Sequence, residues 1–341
     1  MNGLYGEDLG IHRGVVEVKN EEELEAALIH PNKRAVQRVS INTCSDATLS
    51  NLIAAFSGGN LTHLELCRCN FFNFPKKILA LTSLTKLSLR QNSIMLLHHD
   101  LTRLRALESL DIGQNSLLSL SPSLLKLQNL RSLDVSYNQI ESIAYGLDAL
   151  SNLAKLCCSS NRISILPIGL ICKPAFDFEF ANNPIVFPPD NIMNLGADAV
   201  IKLCSALLKV AMLHSETEAN LSGLQLCSLP HVLLPGILHV SNFANIKVLD
   251  LSHNMIDTAA ATSAIASNLS IFSALSTLVL DFNILLELPQ LQSTTNFSRL
   301  SFRRNSIMQL IPERICSQAN LTELFLSHNR ISEIPDLTAL K

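Results

Sequence analysis

Leu84-Thr85-Lys86-Leu87-Ser88-Leu89-Arg90-Gln91-Asn92 decides the fold, because its spacing of three leucines and an asparagine returns 23 residues later and again 23 after that. Leu107-Leu110-Ile112-Asn115 and Leu130-Leu133-Val135-Asn138 repeat it. Working outward in the same step, Leu61-Leu64-Leu66-Cys69 precedes it and Leu153-Leu156-Cys158-Asn161 follows. Val36-Val39-Ile41-Cys44 reads as an earlier turn, and Ala175-Phe178-Phe180-Asn183 closes the series. A fixed period of this kind marks a stack of similar units, each too small to bury its apolar face alone.

A second series follows. Leu221-Leu224-Leu226 reads as a degenerate turn, with Leu229 where the others carry asparagine. Ile246-Leu249-Leu251-Asn254, Leu275-Leu278-Leu280-Asn283, Phe297-Leu300-Phe302-Asn305 and Leu321-Leu324-Leu326-Asn329 are clean. In the LxL core, alternate residues point to opposite faces of a strand. Stacked turns therefore predict a parallel sheet with an inner row of leucines. The recurring asparagine needs partners for two amide donors and one carbonyl, which the backbone of adjacent turns can supply. Cys44 and Cys69 stand in for it as compact weak donors. Leu166-Pro167, Leu288-Pro289, Ile311-Pro312 and Ile334-Pro335 lie on the return path, where proline suits the start of a short helix or 3₁₀ turn.

These motifs resemble the intracellular branch of the leucine-rich repeat family, with about 23 residues per turn, over residues 36 to 341. The resemblance implies an α/β solenoid, with a curved parallel sheet on the concave face and short helices or 3₁₀ turns on the convex face. Asn183-Pro184, Pro188-Pro189, Gly196 and the apolar run from Ala199 resemble the capping passage that closes many arrays of that branch. The expected organisation is an N-terminal segment and helical cap over 1–35, a first array over 36–189, a capping helix and linker over 190–219, and a second array over 220–341. In the cap, Asn20 before Glu21, Glu22 and Glu23 reads as a helix start, ending near His30-Pro31. The long turn from Ile246 carries an Ala-, Ser- and Thr-rich insert, Thr258 to Ser270, that reads as an extra helical turn. The last turn breaks off at Asp336 to Lys341 without a capping pattern, so a fragment is one expectation.

Composition narrows the function. With 26 basic and 29 acidic residues, no whole-chain basic field favours nucleic acid or an anionic membrane. Met1 to Gly14 lacks a signal-peptide pattern, and Lys202, Ser205 and Lys209 interrupt the apolar stretch after Ala199. Nine cysteines form no CxxC pair or zinc spacing, so a cytoplasmic protein with free thiols is expected. No metal motif, phosphate-binding loop, nucleophile elbow or kinase signature occurs. Cys157 and Cys158 are adjacent on a strand and so point to opposite faces. His253 and His328 each precede the repeat asparagine, at a solvent-facing strand end. The sequons at Asn60, Asn220, Asn296 and Asn320 sit just before the first apolar residue of a repeat, where the pattern itself generates them; Asn268 does not.

No enzyme, cofactor, metal or small-molecule substrate is expected, and the expected partner is a protein or peptide on the concave face. Its central column in the first array is Glu65, Ser88, Asp111, Asp134, Cys157 and Glu179, with Arg68, Arg90, Gln91, Gln114 and Tyr137 beside it. An acidic column also serves simply to keep an open sheet soluble. In the second array the column reads Gln225, Asp250, Val279, Ser301 and Phe325, near Phe282, Arg299, Arg303 and Arg304. Aromatic residues flanked by arginine are enriched in interfaces. The candidate partner-binding set is therefore Glu65, Arg68, Arg90, Asp111, Asp134, Tyr137, Glu179, Asp250, Val279, Phe282, Arg299, Arg303, Arg304 and Phe325. A recognition module of a longer GTPase or kinase, and a secreted receptor, are the rival readings.

Overall fold

The computed structural model describes residues 22–24, 28, 36–59, 61–143, 146–212, 217–227, 244–267, 269, 272–291, 297–314, 318 and 320–335. The chain divides into two units, Met1–Ile185 and Val186–Lys341. Most of the expected N-terminal cap, the end of the chain after residue 335, Leu229, and the sequons at Asn60, Asn268 and Asn296 lie outside the described residues.

In the first unit the LxL cores become parallel strands in sequence order: β1 (Arg38–Asn42), β2 (His63–Cys67), β3 (Lys86–Ser88), β4 (Ser109–Asp111), β5 (Ser132–Asp134), β6 (Lys155–Cys157) and β7 (Asp177–Glu179). Leu64, Leu87, Leu110, Leu133 and Leu156 lie in register and are almost fully buried. Burial of each contributes about 2 kcal/mol. Backbone bonds continue the ladder past the strands, from Leu89 N to Asp111 O, Ile112 N to Asp134 O and Val135 N to Cys157 O, each at 2.8 Å.

The chain then leaves the strand through a left-handed residue. Thr43, Arg68, Gln91, Gln114, Tyr137, Ser160 and Asn182 have φ between 54° and 69°. For a side-chain-bearing residue this geometry costs about 1–2 kcal/mol. The turn is held by bonds such as Gln91 N to Gly113 O at 3.0 Å and Tyr137 N to Ser159 O at 2.9 Å. The next residue, the repeat asparagine, locks it. Asn115 Nδ2 donates to Leu89 O, Ile112 O and Gly113 O, while its Oδ1 accepts Ile94 N–H at 2.9 Å. Asn138 and Asn161 make the equivalent bonds one and two turns on. Where cysteine replaces asparagine, Cys69 Sγ donates to Cys67 O at 3.3 Å.

The second unit opens with α1 (Asp190–Met193) and α2 (Ala197–Met212), whose Leu203, Cys204 and Leu207 are buried. Lys202 Nζ donates to Gly223 O at 2.8 Å, tying α2 to the first turn of the sheet. Strands β8 (Glu218–Asn220), β9 (Val248–Asp250), β10 (Thr277–Val279), β11 (Arg299–Ser301) and β12 (Glu323–Phe325) follow in parallel. The insert forms α3 (Thr258–Ser267), started by Asp257 Oδ1 accepting Ala260 N–H, and Thr258 Oγ1 ties it to Leu286 and Glu287 of the next turn.

Strand β8 corrects the sequence reading. Ala219 pairs with Leu249 and Asn220 with Asp250, so Leu221 is the third apolar residue and Leu224 takes the asparagine position. Leu224 N–H and Leu226 N–H both donate to Asn254 Oδ1 at 3.0 Å, as Cys69 and Phe71 donate to Asn92. Gln225 is therefore outside the strand, and Asn220 holds the centre that was expected for it. The sequon at Asn220 accordingly sits in the strand, not ahead of a repeat. Gly223, with φ of 62°, fills the left-handed position before Leu224.

Candidate partner-binding face

Each strand presents its central residue, and the two residues after the third apolar position, on the face opposite the leucines. Register places Glu65, Ser88, Asp111, Asp134, Cys157 and Glu179 side by side in the first unit. It places Asn220, Asp250, Val279, Ser301 and Phe325 side by side in the second. Arg68 and Tyr137, and likewise Phe282 and Arg304, are left-handed exit residues, while Arg90 and Arg303 each stand one residue earlier.

In the first unit the central arginine of the face is met by carboxylates. Arg90 Nη1 lies 3.0 Å from Asp134 Oδ2 and 3.5 Å from Asp111 Oδ1, with all three side chains about 30% exposed. The guanidinium reaches across because residue 113 is glycine: a Cβ there would come within 2.4 Å of Arg90 Nη1. Gly113 was not among the expected site residues, and its signal is the missing side chain in a column otherwise filled by larger residues. Asp111 and Asp134 also accept the N–H two residues on, from Gly113 and Ser136, each at 2.9 Å. Asp250 and Asn220 do the same for Ser252 and Ser222. Part of the column thus completes the backbone, since the second residue after the centre donates no ladder bond of its own.

Glu65 accepts Ser40 Oγ–H at 3.0 Å, and Arg68 Nε donates to Gln91 Oε1 at 2.8 Å. Lys155 bridges Asp177 and Glu179. Hydrogen bonds from these carboxylates push the Lys155 ammonium above its usual range, and Lys155 in turn lowers the Glu179 carboxyl. Tyr137 is the large exposed aromatic on this side, at 55%. The cysteines give no reactive centre here. Cys157 and Cys158 are buried, and desolvation pushes the Cys158 thiol up to about 12. Burial raises Cys67 as well.

In the second unit the arrangement is aromatic. Phe325 lies between two guanidiniums, with Arg303 4.3 Å and Arg299 4.9 Å from the ring centroid. Phe282 stacks on His253 at 4.0 Å and 18°, and Arg304 lies 5.1 Å from its centroid. Arg299 also pairs with Glu323 at 3.3 Å. Val279 is half-buried between Asp250 and Ser301. The structure thus gathers Phe282, Arg299, Arg303, Arg304 and Phe325 over three successive turns.

On the return path, the donor atoms of His98, His99 and Asp100 lie close enough together to hold a metal ion. His98 Nδ1 already accepts Asp100 N–H, the two rings stack at 4.3 Å, and His99 Nε2 lies 3.5 Å from Asp100 Oδ1. Among the described residues no helix is long and apolar enough to cross a membrane.

A family model described as leucine rich repeat matches residues 105–163, and a second of the same description matches 320–339. No curated protein matches the sequence. Among solved structures, a leucine-rich repeat protein of Leptospira interrogans is 18% identical, with 93% of this chain and 95% of that one covered and a TM-score of 0.33. The internalin InlF of Listeria monocytogenes is 19% identical over 94% of this chain and 86% of its own, with a TM-score of 0.38. The functional domain of InlJ from Listeria monocytogenes is 18% identical over 90% and 61%, with a TM-score of 0.36.

Proposed function

We propose that this chain, a leucine-rich repeat protein, is a non-catalytic cytoplasmic scaffold or adaptor that binds a protein partner through the strand face of its second array. The observation that carries this reading is the cluster of Phe282, Phe325, Arg299, Arg303 and Arg304 on three neighbouring turns. Aromatic and arginine side chains dominate interface energetics, and Phe282 keeps 41% of its surface exposed here. Arg90 with Asp111 and Asp134, and Lys155 with Asp177 and Glu179, are by contrast engaged with one another in the first array, which supports a role in the scaffold. Free thiols at Cys67, Cys157 and Cys158 support a reducing compartment.

Affinity purification with mass spectrometry, comparing wild type with the double variant Phe325→Glu plus Arg303→Glu, tests the reading. Specific partners are expected to disappear while the circular dichroism spectrum and melting temperature are retained. An unchanged partner list would move the site to the first array or the convex side.

A further inference from the structure

We propose that the face around Arg303 and Arg304 takes an extended acidic segment of a protein partner, recognising its side-chain carboxylates; this rests on the partner-binding reading above and supplies its chemistry. The two phenylalanines do not stand open as anchors. Phe325 is flanked by Arg299 and Arg303, and Phe282 by His253 and Arg304. They act as shelves. A guanidinium held against a ring by cation–π attraction keeps its N–H edge free for an acceptor in the guanidinium plane. That is the edge that binds a carboxylate through two parallel hydrogen bonds. Fixing it in advance lowers the ordering cost of binding.

For two of those edges the described residues supply no carboxylate. Among the described residues, Arg299 has Glu323 at 3.3 Å, whereas neither Arg303 nor Arg304 has a carboxylate within ion-pairing distance. Asp281 is occupied by the ladder, accepting Ser301 Oγ–H at 2.6 Å and the Arg303 backbone N–H at 2.7 Å. Arg90 in the first array shows the alternative, a guanidinium closed by Asp111 and Asp134. Over the three turns from Phe282 to Phe325, three guanidiniums against the carboxylates of Glu323 and Asp281 leave a small positive excess, with Asp250 one strand further on. This suits carboxylates met singly better than a dianionic phosphate. The cluster runs from the turn of Phe282 to that of Phe325, two strand spacings or roughly 10 Å, which about three residues of extended chain would span.

The test uses the whole chain and fluorescein-labelled Gly-Glu-Leu-Glu-Leu-Glu-Gly, its glutamine counterpart, and an oligouridylate of the same length, read by fluorescence anisotropy. The glutamate peptide is expected to bind at low salt and to weaken as salt is raised. Arg303→Gln and Arg304→Gln should each weaken binding of the glutamate peptide about tenfold, the value of one charge-assisted hydrogen bond, and the glutamine counterpart, which lacks all three side-chain carboxylates, should bind more weakly still. Phe325→Leu keeps apolar bulk but removes the shelf, and should weaken binding severalfold. Melting temperatures check that each variant is folded. No binding of the glutamate peptide, equal binding of the two peptides, tighter binding of the oligouridylate, or an unaffected Phe325→Leu would each overturn the proposal. Partner loss in the double variant together with indifference to peptide charge would sink this inference alone. Unchanged partners in that variant would sink the reading beneath it.

Discussion

The two arrays share one backbone device and differ in what they do with arginine. In both, a left-handed residue and a buried asparagine turn the chain out of the strand, with the same bonds at Asn138 and at Asn305. On the strand face they part. Arg90 is neutralised inside the first array by two aspartates and admitted there by a glycine, while Arg303 and Arg304 rest on phenylalanine rings. Asparagine and leucine fix the stack from within, so those outer positions that do not complete the backbone can close on themselves or stay open. A closed column contributes to its own array's stability, and an open one keeps that capacity for a partner.

The shared device is where a single change costs most. Asn138→Ala removes three donated bonds and leaves Leu117 N–H, which it held at 2.9 Å, buried without an acceptor. Asn305→Ala does the same to Leu285 N–H. Each is expected to lower stability by about 3–5 kcal/mol, because several buried polar groups lose partners at once. Urea unfolding followed by circular dichroism measures both. A much smaller loss for Asn305→Ala would break the comparison, since the second array would then not depend on its ladder as the first does.

Legibility in the sequence follows the same division. Most strands of the first array could be read because one step of 23 residues links Leu61, Leu84, Leu107, Leu130 and Leu153, so each turn corroborates the phase of the next. Strand β8 could not, because Leu224 and Leu226 imitate the LxL core while the true strand carries only Ala219 and Leu221. Two signals pointed to the correct phase. Gly223 stands where the other turns need a left-handed residue, and Leu224 precedes Asn254 by 30 residues, close to the 29 between Asn254 and Asn283. The ends of the columns were legible as residue types but their partners were not. Arg303 meets Phe325 from 22 residues away, and only side-chain direction decides whether it covers a ring or meets an acid.

Gly113→Ala probes the closed column with a smaller effect. The added methyl would meet Arg90 Nη1 at 2.4 Å, the mobile end of a long side chain, so the guanidinium must swing away from Asp111 and Asp134. A loss of about 1 kcal/mol is expected, on the scale of a partly exposed charge-assisted contact. Arg90→Gln should cost a similar amount, and adding it to Gly113→Ala should cost little more, because both remove one interaction. Full additivity in that double-mutant cycle would show that the glycine does not act through Arg90.

The smallest effect separates charges that stabilise from charges that merely meet. Lys155, Asp177 and Glu179 form exposed ion pairs at the end of the first array's strand face, with side chains 43–57% accessible. Lys155 lowers the Glu179 carboxyl, so any stability from that carboxylate is present above its ordinary value of 4.5 and is lost as pH falls through the lower folded value. The raised Lys155 ammonium contributes fully below its ordinary 10.5 and loses that contribution only as pH rises through its folded value. Between the two, the pair should be flat in pH. Glu179→Gln is therefore expected to leave the melting temperature near neutral pH almost unchanged, since water screens such pairs. Any difference from wild type should vanish in acid, where both proteins lack the charge. A clear loss at pH 7 would mean that even the exposed end of the first array's column is part of its stability, and the contrast with the open column of the second would be wider than the geometry around Arg90 alone implies.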